Sequence, residues 1–480
     1  MDKFEGNGIF WRADQPDNQV PGRIAWDPQS GIGLDLIGAF GEIGDLVTSN
    51  DPPTRVLGVA DGKEWTLENC MRSGTRIQNG LHTESWKSNV ALRGVHYAPD
   101  AHVHFTGFHI SLDELPAWVE LPSLTTEIVQ KEGVPEVDRL TVVLESREPL
   151  EFEHDGGGIA LEFGWGLSGN HTTHTSIDQS CSLKISYLEP QPIERIFEDI
   201  GKIRNIVTLG SDSPAIVTSV VLESPDHLRL PPLEGPSPID LLFHRSAPNK
   251  DDIQAPYAMF FTLDQIGGLP GLSNLMLVAD SCRAAISSLL SIRYAQSMYA
   301  ENRFDNAVQS AETLHRLRYP NEIEDPAVFK QKKKEILKTI PSDHRNYVAS
   351  ILQHGNEPRL RDRLADLTSD QPVFDWLTGD PAVWVLVVTE IRNRLTHHDN
   401  QVEAFWDGPD LYWLAESTYV LVLLALLRLS EAPPDAVDHM RQNPRIQHMV
   451  TRMREIVPRL KEGLPPWLQS DESAPNAGNG

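Results

Sequence analysis

Cysteine is scarce in this chain: Cys70, Cys181 and Cys282 stand far apart in sequence. They exclude a disulfide framework and a Cys-x-x-Cys zinc knuckle, and such usage suits a reducing compartment. A long uninterrupted apolar run is missing too. The one membrane candidate, Leu411 to Leu429, carries Glu416 within it, and its charge-free part is shorter than the roughly 18–20 residues that span a bilayer, so a buried helix is expected there. The first fifteen residues mix Asp2, Lys3, Glu5, Arg12 and Asp14 with isolated apolar side chains. They hold no secretory signal, and a cytoplasmic protein is expected. Positive charge is in deficit, with 42 Lys+Arg against 68 Asp+Glu and a net charge of −26. Such a field repels polyanions and argues against an extended groove for duplex DNA. The deficit is uneven, −18 over residues 1–250 and −8 over residues 251–480, so the second half is the less hostile place for a nucleic acid. Asp155-Gly156-Gly157-Gly158 lacks the Gly-Lys-Ser/Thr of a phosphate-binding loop and reads as a turn. No Gly-x-Ser-x-Gly elbow points to a serine hydrolase.

What is present is ordinary globular composition, 40% apolar and 23% charged, over 480 residues. That length exceeds the roughly 250–300 residues of a single core, so two or more domains are expected. Short β-prone segments at Gly31–Ile37, Leu140–Leu144, Ile159–Phe163 and Ser182–Tyr187 imply a sandwich or barrel. The period changes to helical over Pro192–Val207, and Ala215–Leu222 reads as one further strand. Prolines 231, 232, 236, 238 and 248 interrupt regular structure. Helical spacing then fills Leu275–Tyr299, Arg303–Arg318, Pro326–Thr339, Asp343–Gln353, Asp380 to about Thr396, Pro409–Leu429 and Asp435–Val457. The expected fold class is α+β. It comprises a β-rich, sandwich-like domain with a helix over residues 1–230, a Pro-rich linker over 231–270, an all-α bundle over 271–462 and a disordered tail over 463–480.

The segment that carries chemistry starts at Asp380-Pro381, a good helix start because Asp caps free N–H groups and Pro needs none at the first position. Trp384, Val387, Val388, Ile391 and Leu395 form one apolar stripe, and the helix ends Glu390-Ile391-Arg392-Asn393-Arg394-Leu395-Thr396-His397-His398-Asp399. At about 100° per residue, Arg392 and His397 splay by roughly 140°. The two therefore do not stack on one face of a straight helix. Either the helix bends or ends near Thr396, or the site is completed across an interface. His398 lies closer to the apolar stripe and is the better packing residue.

Arg392-Asn393-Arg394-Leu395-Thr396-His397 resembles the Arg-polar-x-x-x-His signature of HEPN-domain ribonucleases. Gly8-Ile9-Phe10-Trp11, Pro21-Gly22-Arg23-Ile24 and Gly33-Leu34-Asp35-Leu36-Ile37-Gly38 resemble the N-terminal domain of the ApeA family of bacterial antiphage proteins, which the helix from Ile193 to Val207 also fits. The resemblance implies a metal-independent endoribonuclease, without cofactor, that aborts phage infection, with tRNA as one candidate substrate. It implies that a phage-derived trigger protein is sensed by the N-terminal domain, and that a homodimer or higher homo-oligomer brings two motifs to one cleft. In that reading His397 moves protons, Arg392 steadies the transition-state charge and Asn393 orients a partner or the phosphate. His398 and Glu312 are supporting candidates.

Bland readings stand beside these. Lys330-Gln331-Lys332-Lys333-Lys334 with Lys338 is a candidate RNA-guiding cluster, Lys332, Lys333 and Lys334 foremost, and is more simply a solvated helix face. Arg359, Arg361 and Arg363 are expected to pair locally with Asp362 and Asp366, and Glu312 to be a surface carboxylate more readily than a partner of Arg392. His102 with His104, and His171 with His174, are expected as strand or loop residues and not as metal ligands. Trp65, Trp86, Trp118 and Trp165 are core residues by default and a glycan platform otherwise. The rival function is a non-catalytic bundle that dimerises or binds a nucleotide, joined to a ligand-binding β domain.

Overall fold

The computed structural model describes residues 3–41, 54–78, 81–99, 101, 103–121, 125–131, 136–145, 147–154, 156–170, 172–229, 235–244, 253–397 and 404–469. Two units divide the chain, one holding Met1–Pro256 with Thr262–Asp264 and Gly268–Ser273, the other Tyr257–Phe261, Gln265–Gly267 and Asn274–Gly480.

The first unit contains strands β1 (Phe4–Arg12), β2 (Val20–Asp27), β3 (Gly31–Leu36), β4 (Thr54–Ala60), β5 (Lys63–Gln78), β6 (Leu81–Ser88), β7 (Val90–Arg93) and β8 (His104–Leu112). It continues through β9 (Thr125–Gln130), β10 (Val137–Val143), β11 (Leu150–His154), β12 (Gly157–Gly169), β13 (Thr175–Pro192), β14 (Val217–Glu223) and β15 (Ile239–Phe243). Its helices are α1 (Leu115–Trp118) and α2 (Ile193–Ser211). The expected α+β class holds, and of the sandwich and the barrel that the strands implied, part of the β-rich region takes the closed form. β5 is 16 residues long. Its first half pairs with β4 and β7 and its second half with β6, so β5-β4-β1-β2-β3-β6 returns to β5 as a ring. Register shifts between Arg72 and Gly74 and a positive φ at Asn69 turn the strand from one partner to the next. The outward branch runs β7-β15-β14-β8-β13-β12-β11, and β9 and β10 form a separate hairpin.

Trp26, Trp65, Trp86, Phe10, Ile24 and Leu34 fill the ring. Trp65, Trp86 and Trp118 are thus core side chains, and Trp165 alone of the four named tryptophans is exposed. Two glycines of the opening motifs have steric reasons. A Cβ at Gly8 would collide with the Val59 carbonyl where β1 crosses β4, and one at Gly22 would crowd Asp35 O at 2.8 Å. Within the stretch expected as a linker, β15 is a strand whose Leu241 and Leu242 are fully buried between β14 and β7.

The second unit is helical. Its elements are α3 (Gly268–Ser281, begun in the first unit), α4 (Arg283–Tyr294), α5 (Ala300–Arg318), α6 (Pro326–Thr339), α7 (Ser342–Ile351), α8 (Leu360–Ser369) and α9 (Val373–Thr378). They are followed by α10 (Pro381–His397), α11 (Gly408–Leu429), α12 (Pro434–Gln442), α13 (Pro444–Glu462) and α14 (Pro466–Gln469). The single helix expected over Leu275–Tyr299 is broken at Cys282, with 102° between α3 and α4. The helix expected over Asp435–Val457 is broken at Asn443, whose side chain caps the Arg445 and Ile446 N–H groups ahead of Pro444. Helix α14 occupies part of the stretch expected as a tail, Leu464 ahead of it is buried, and residues 470–480 lie outside the described residues. Helix α11 is long and apolar enough to cross a membrane, yet 89% of that stretch is buried inside the protein.

Candidate active site

Helix α10 begins as its sequence dictates. Asp380 accepts a hydrogen bond from the Val383 N–H at 3.0 Å, and Pro381 takes the first helical position. Trp384, Val387, Val388 and Ile391 are fully buried, and the Trp384 indole donates to Ser417 Oγ of α11 at 2.9 Å. This stripe fixes the rotation of α10 and thereby the direction of Arg392, whose side chain is 36% exposed.

Opposite lies one side of α5. Asp305, Gln309, Glu312, Thr313 and Arg316 fall within about 100° of arc, while Phe304, Ala307, Ala311 and Leu314 bury the other face. These five residues, with Arg392 and Thr396, line a cleft of about 470 Å³. Glu312 Oε1 accepts from Arg316 Nη2 at 2.9 Å, and its Oε2 stands 3.8 Å from Arg392 Nη2. The cross-bundle pair is therefore present, but as an ion pair longer than a hydrogen bond. Among the described residues the Arg392 guanidinium makes no hydrogen bond, so its planar fork is oriented while its donors stay available. Burial pushes the Asp305 carboxyl above its ordinary range; the Arg392 charge opposes this and Glu301 adds to it. Two anions and two cations thus balance in the cleft.

The other candidates are placed differently. Asn393 is exposed and does not line the cleft. The Arg394 Nε donates to Glu390 at 2.8 Å, and its guanidinium lies 4.9 Å from the Phe405 ring, which ties it down. Helix α10 runs through to His397, so in backbone terms Arg392 and His397 keep the splay of an unbroken helix. The His397 side chain and all of His398 lie outside the described residues. Lys332, Lys333 and Lys334 sit on α6, which contributes nothing to this cleft. His102 and His171 also lie outside the described residues, among which no three His, Cys, Asp or Glu side chains are arranged to hold a metal ion.

Two buried networks support the site and were not legible in the sequence. Arg363, expected to pair locally with Asp362 and Asp366, is fully buried; it donates to Asn321 at 2.6 Å and lies 3.1 Å from His315 Nδ1, whose Nε2 is 2.9 Å from Asp366. Burial lowers the His315 pKa below the usual imidazole value, so this histidine is a structural member of α5. Glu416, 2% exposed within α11, receives both Nη atoms of Arg293 at 3.0 and 2.8 Å, Arg303 at 3.0 Å and Arg445 at 2.7 Å. Of the cleft, Asp305, Gln309, Thr313 and Arg316 were also missed. A polar stripe along a helix with a well-buried opposite face was their only trace.

The family model for Apea-like HEPN matches residues 306–433, a stretch that holds most of α5 and all of α10, the two helices of the cleft. The model for ApeA N-terminal domain 1 matches residues 5–269, more than half of the chain, and the protein belongs to that family. The pairing of the two is that of antiphage HEPN nucleases. Comparison with curated proteins and with solved structures gives no match.

Proposed function

We propose that the helical unit is a metal-independent endoribonuclease acting in abortive antiphage defence, with tRNA among its candidate substrates. The observation that carries this reading is Arg392, a half-exposed guanidinium aimed into a polar cleft with its hydrogen-bond donors uncommitted. The reaction uses the substrate's own 2′-hydroxyl, a group that DNA lacks. The 2′-oxygen bonds to phosphorus and the bond to the 5′-oxygen breaks, leaving a 2′,3′-cyclic phosphate and a 5′-hydroxyl. An imidazole, with its ordinary pKa near 6.5, takes the proton from the 2′-hydroxyl, and another returns one to the leaving oxygen. His397 supplies these groups. Arg392 offers two N–H donors to the non-bridging oxygens, where charge builds in the pentacoordinate transition state.

The splay of roughly 140° between positions 392 and 397 on one helix makes a single copy insufficient. Two copies, each offering its α10 end to a shared cleft, supply both imidazoles and an arginine. The N-terminal unit senses a phage-derived protein and restrains the nuclease until then, a role supported by its acidic imbalance and by its family. The test is incubation of the purified chain in EDTA with an RNA and with the DNA of the same sequence, including a phage lysate as the source of trigger. RNA fragments ending in 2′,3′-cyclic phosphate are expected and the DNA should stay intact; cleavage of the DNA, or activity that EDTA abolishes, would overturn the reading.

A further inference from the structure

Helices α6 and α7 form a surface that the chemistry above does not use, one that sets lysines beside exposed apolar side chains such as Val328 and Tyr347. Asp325 caps α6 through the Ala327 and Val328 N–H groups, and neither helix contains a fully buried residue. Between them runs a groove of about 700 Å³ lined by Lys330, Lys333, Lys334, Lys338 and Arg345, with Leu337 among the apolar groups. No carboxylate lines it. Lys330, Lys334 and Lys338 recur every four residues, which sets them within about 80° of arc and at about 6 Å intervals along the axis. Like charges at that spacing repel and weaken a helix. Among the described residues none of the three has a carboxylate within ion-pair distance.

The carboxylates beside the groove leave the lysine row unpaired. Glu335 accepts from Gln331 of the groove wall at 2.6 Å and forms no ion pair with the lysine row among the described residues, and Glu324 holds Lys332, which points to the other face, at 3.1 Å. Arg345 donates to the Leu337 and Ile340 carbonyls at 3.0 and 3.3 Å, bonds that leave its charge uncompensated. In a chain of net charge −26, this concentration of positive charge implies an anionic occupant. A single small anion would satisfy one or two cations; a row of them suits a chain of phosphates.

A chain of contacts links the groove to the cleft wall. Lys333 donates to the Leu352 carbonyl at 3.3 Å; five residues on, Glu357 bonds His354 at 2.7 Å and lies 4.0 Å from Arg316 of the cleft wall. We propose that the α6–α7 groove docks the sugar–phosphate backbone of an RNA strand, without reading its sequence, while another part of that strand enters the Arg392 cleft. The proposal rests on the ribonuclease reading for its substrate. Of the basic cluster read from the sequence, it keeps the Lys330, Lys334 and Lys338 row for the guiding role and leaves out Lys332.

The test is binding, measured by anisotropy of a labelled unstructured RNA at several salt concentrations, in EDTA, on the full chain carrying Arg392→Ala so that the RNA is not consumed. Adding Lys330→Gln, Lys334→Gln and Lys338→Gln together should weaken binding for every RNA sequence and lower the slope of log K against log salt by about 2, at about 0.7 per phosphate contact on a single strand. The triple Lys→Arg variant should restore both, and Lys332→Gln should change the slope by less than one contact. Unchanged affinity and slope in the triple Lys→Gln variant would overturn the proposal. So would a change in its sedimentation with RNA binding intact, which would make the groove a protein contact. Because binding is read apart from cleavage, a wild-type protein that binds RNA through these lysines yet never cuts it, even with phage lysate supplied as the source of trigger, would remove the ribonuclease reading and leave the groove standing.

Discussion

Replacing Glu416 by glutamine keeps the shape of the side chain and removes one charge from a site where three guanidinium groups converge. Arg293 approaches through both Nη atoms and stacks at 4.0 Å over the Tyr419 ring, so it cannot turn to solvent without emptying the core of α11. After the change the amide oxygen accepts from one arginine while its NH₂ faces another donor. Removing one partner of a buried ion pair costs about 3–5 kcal/mol, because the charge left behind stays desolvated. Arg303 and Arg445 are 19% and 37% exposed, which lets water screen part of the excess, so the lower end of that range applies. At about 2–4 °C per kcal/mol for a unit of this size, the melting transition of the helical unit should fall by about 6–12 °C. Calorimetry of the full chain reads this directly. Arg445→Gln, which removes only the outermost cation, should cost about 1 kcal/mol or less. A Glu416→Gln shift below about 3 °C, or an Arg445→Gln shift as large as that of Glu416→Gln, would refute the view that the buried carboxylate organises these helices.

Three further outcomes are expected. Hydrogen bonds from His109 and Lys184 hold the Glu223 carboxyl down at about 2 in the folded β unit, against an ordinary 4.5, so its stabilisation is present above pH 4.5 and is lost as pH falls through 2; Glu223→Gln should flatten this acid limb in melts followed by circular dichroism. Burial pushes the Cys70 and Cys181 thiols up to about 12, and all three cysteines are buried, so a thiol reagent near neutral pH should report no fast-reacting group until denaturant is added. Glu312→Gln should leave melting within about 1 kcal/mol of wild type, since Glu312 is partly exposed, while changing the response of RNA affinity to salt through the loosened Arg392.

The parts legible in the sequence were those set by neighbours along the chain. Asp380-Pro381 and the Trp384–Ile391 stripe announce α10, and Asp325-Pro326 announces α6, because capping and 3.6-residue periodicity act within one or two turns. The ring closure was not legible. It depends on which partner the second half of β5 finds, and alternation along the strand is the same whether that partner is β6 or β4. The bend at Cys282 hides because apolar spacing continues across it, whereas the break at Asn443-Pro444 carried a readable cap and stop. Arg363 pointed to local pairing because its acidic neighbours are close in sequence; its real partners, Asn321 and His315, come from far along the chain. The cleft failed in the same way: α5 alone shows only a polar stripe, and it becomes a wall when Arg392 stands opposite.

The most direct measurement is cleavage of RNA in EDTA by wild type, Arg392→Ala and His397→Ala side by side, with phage lysate supplied as the source of trigger and melting recorded for each. Both substitutions should remove cutting while melting stays close to wild type, because Arg392 is half-exposed and makes one long ion pair. Cutting that persists at the wild-type rate in both variants would contradict a site built on this guanidinium and this imidazole.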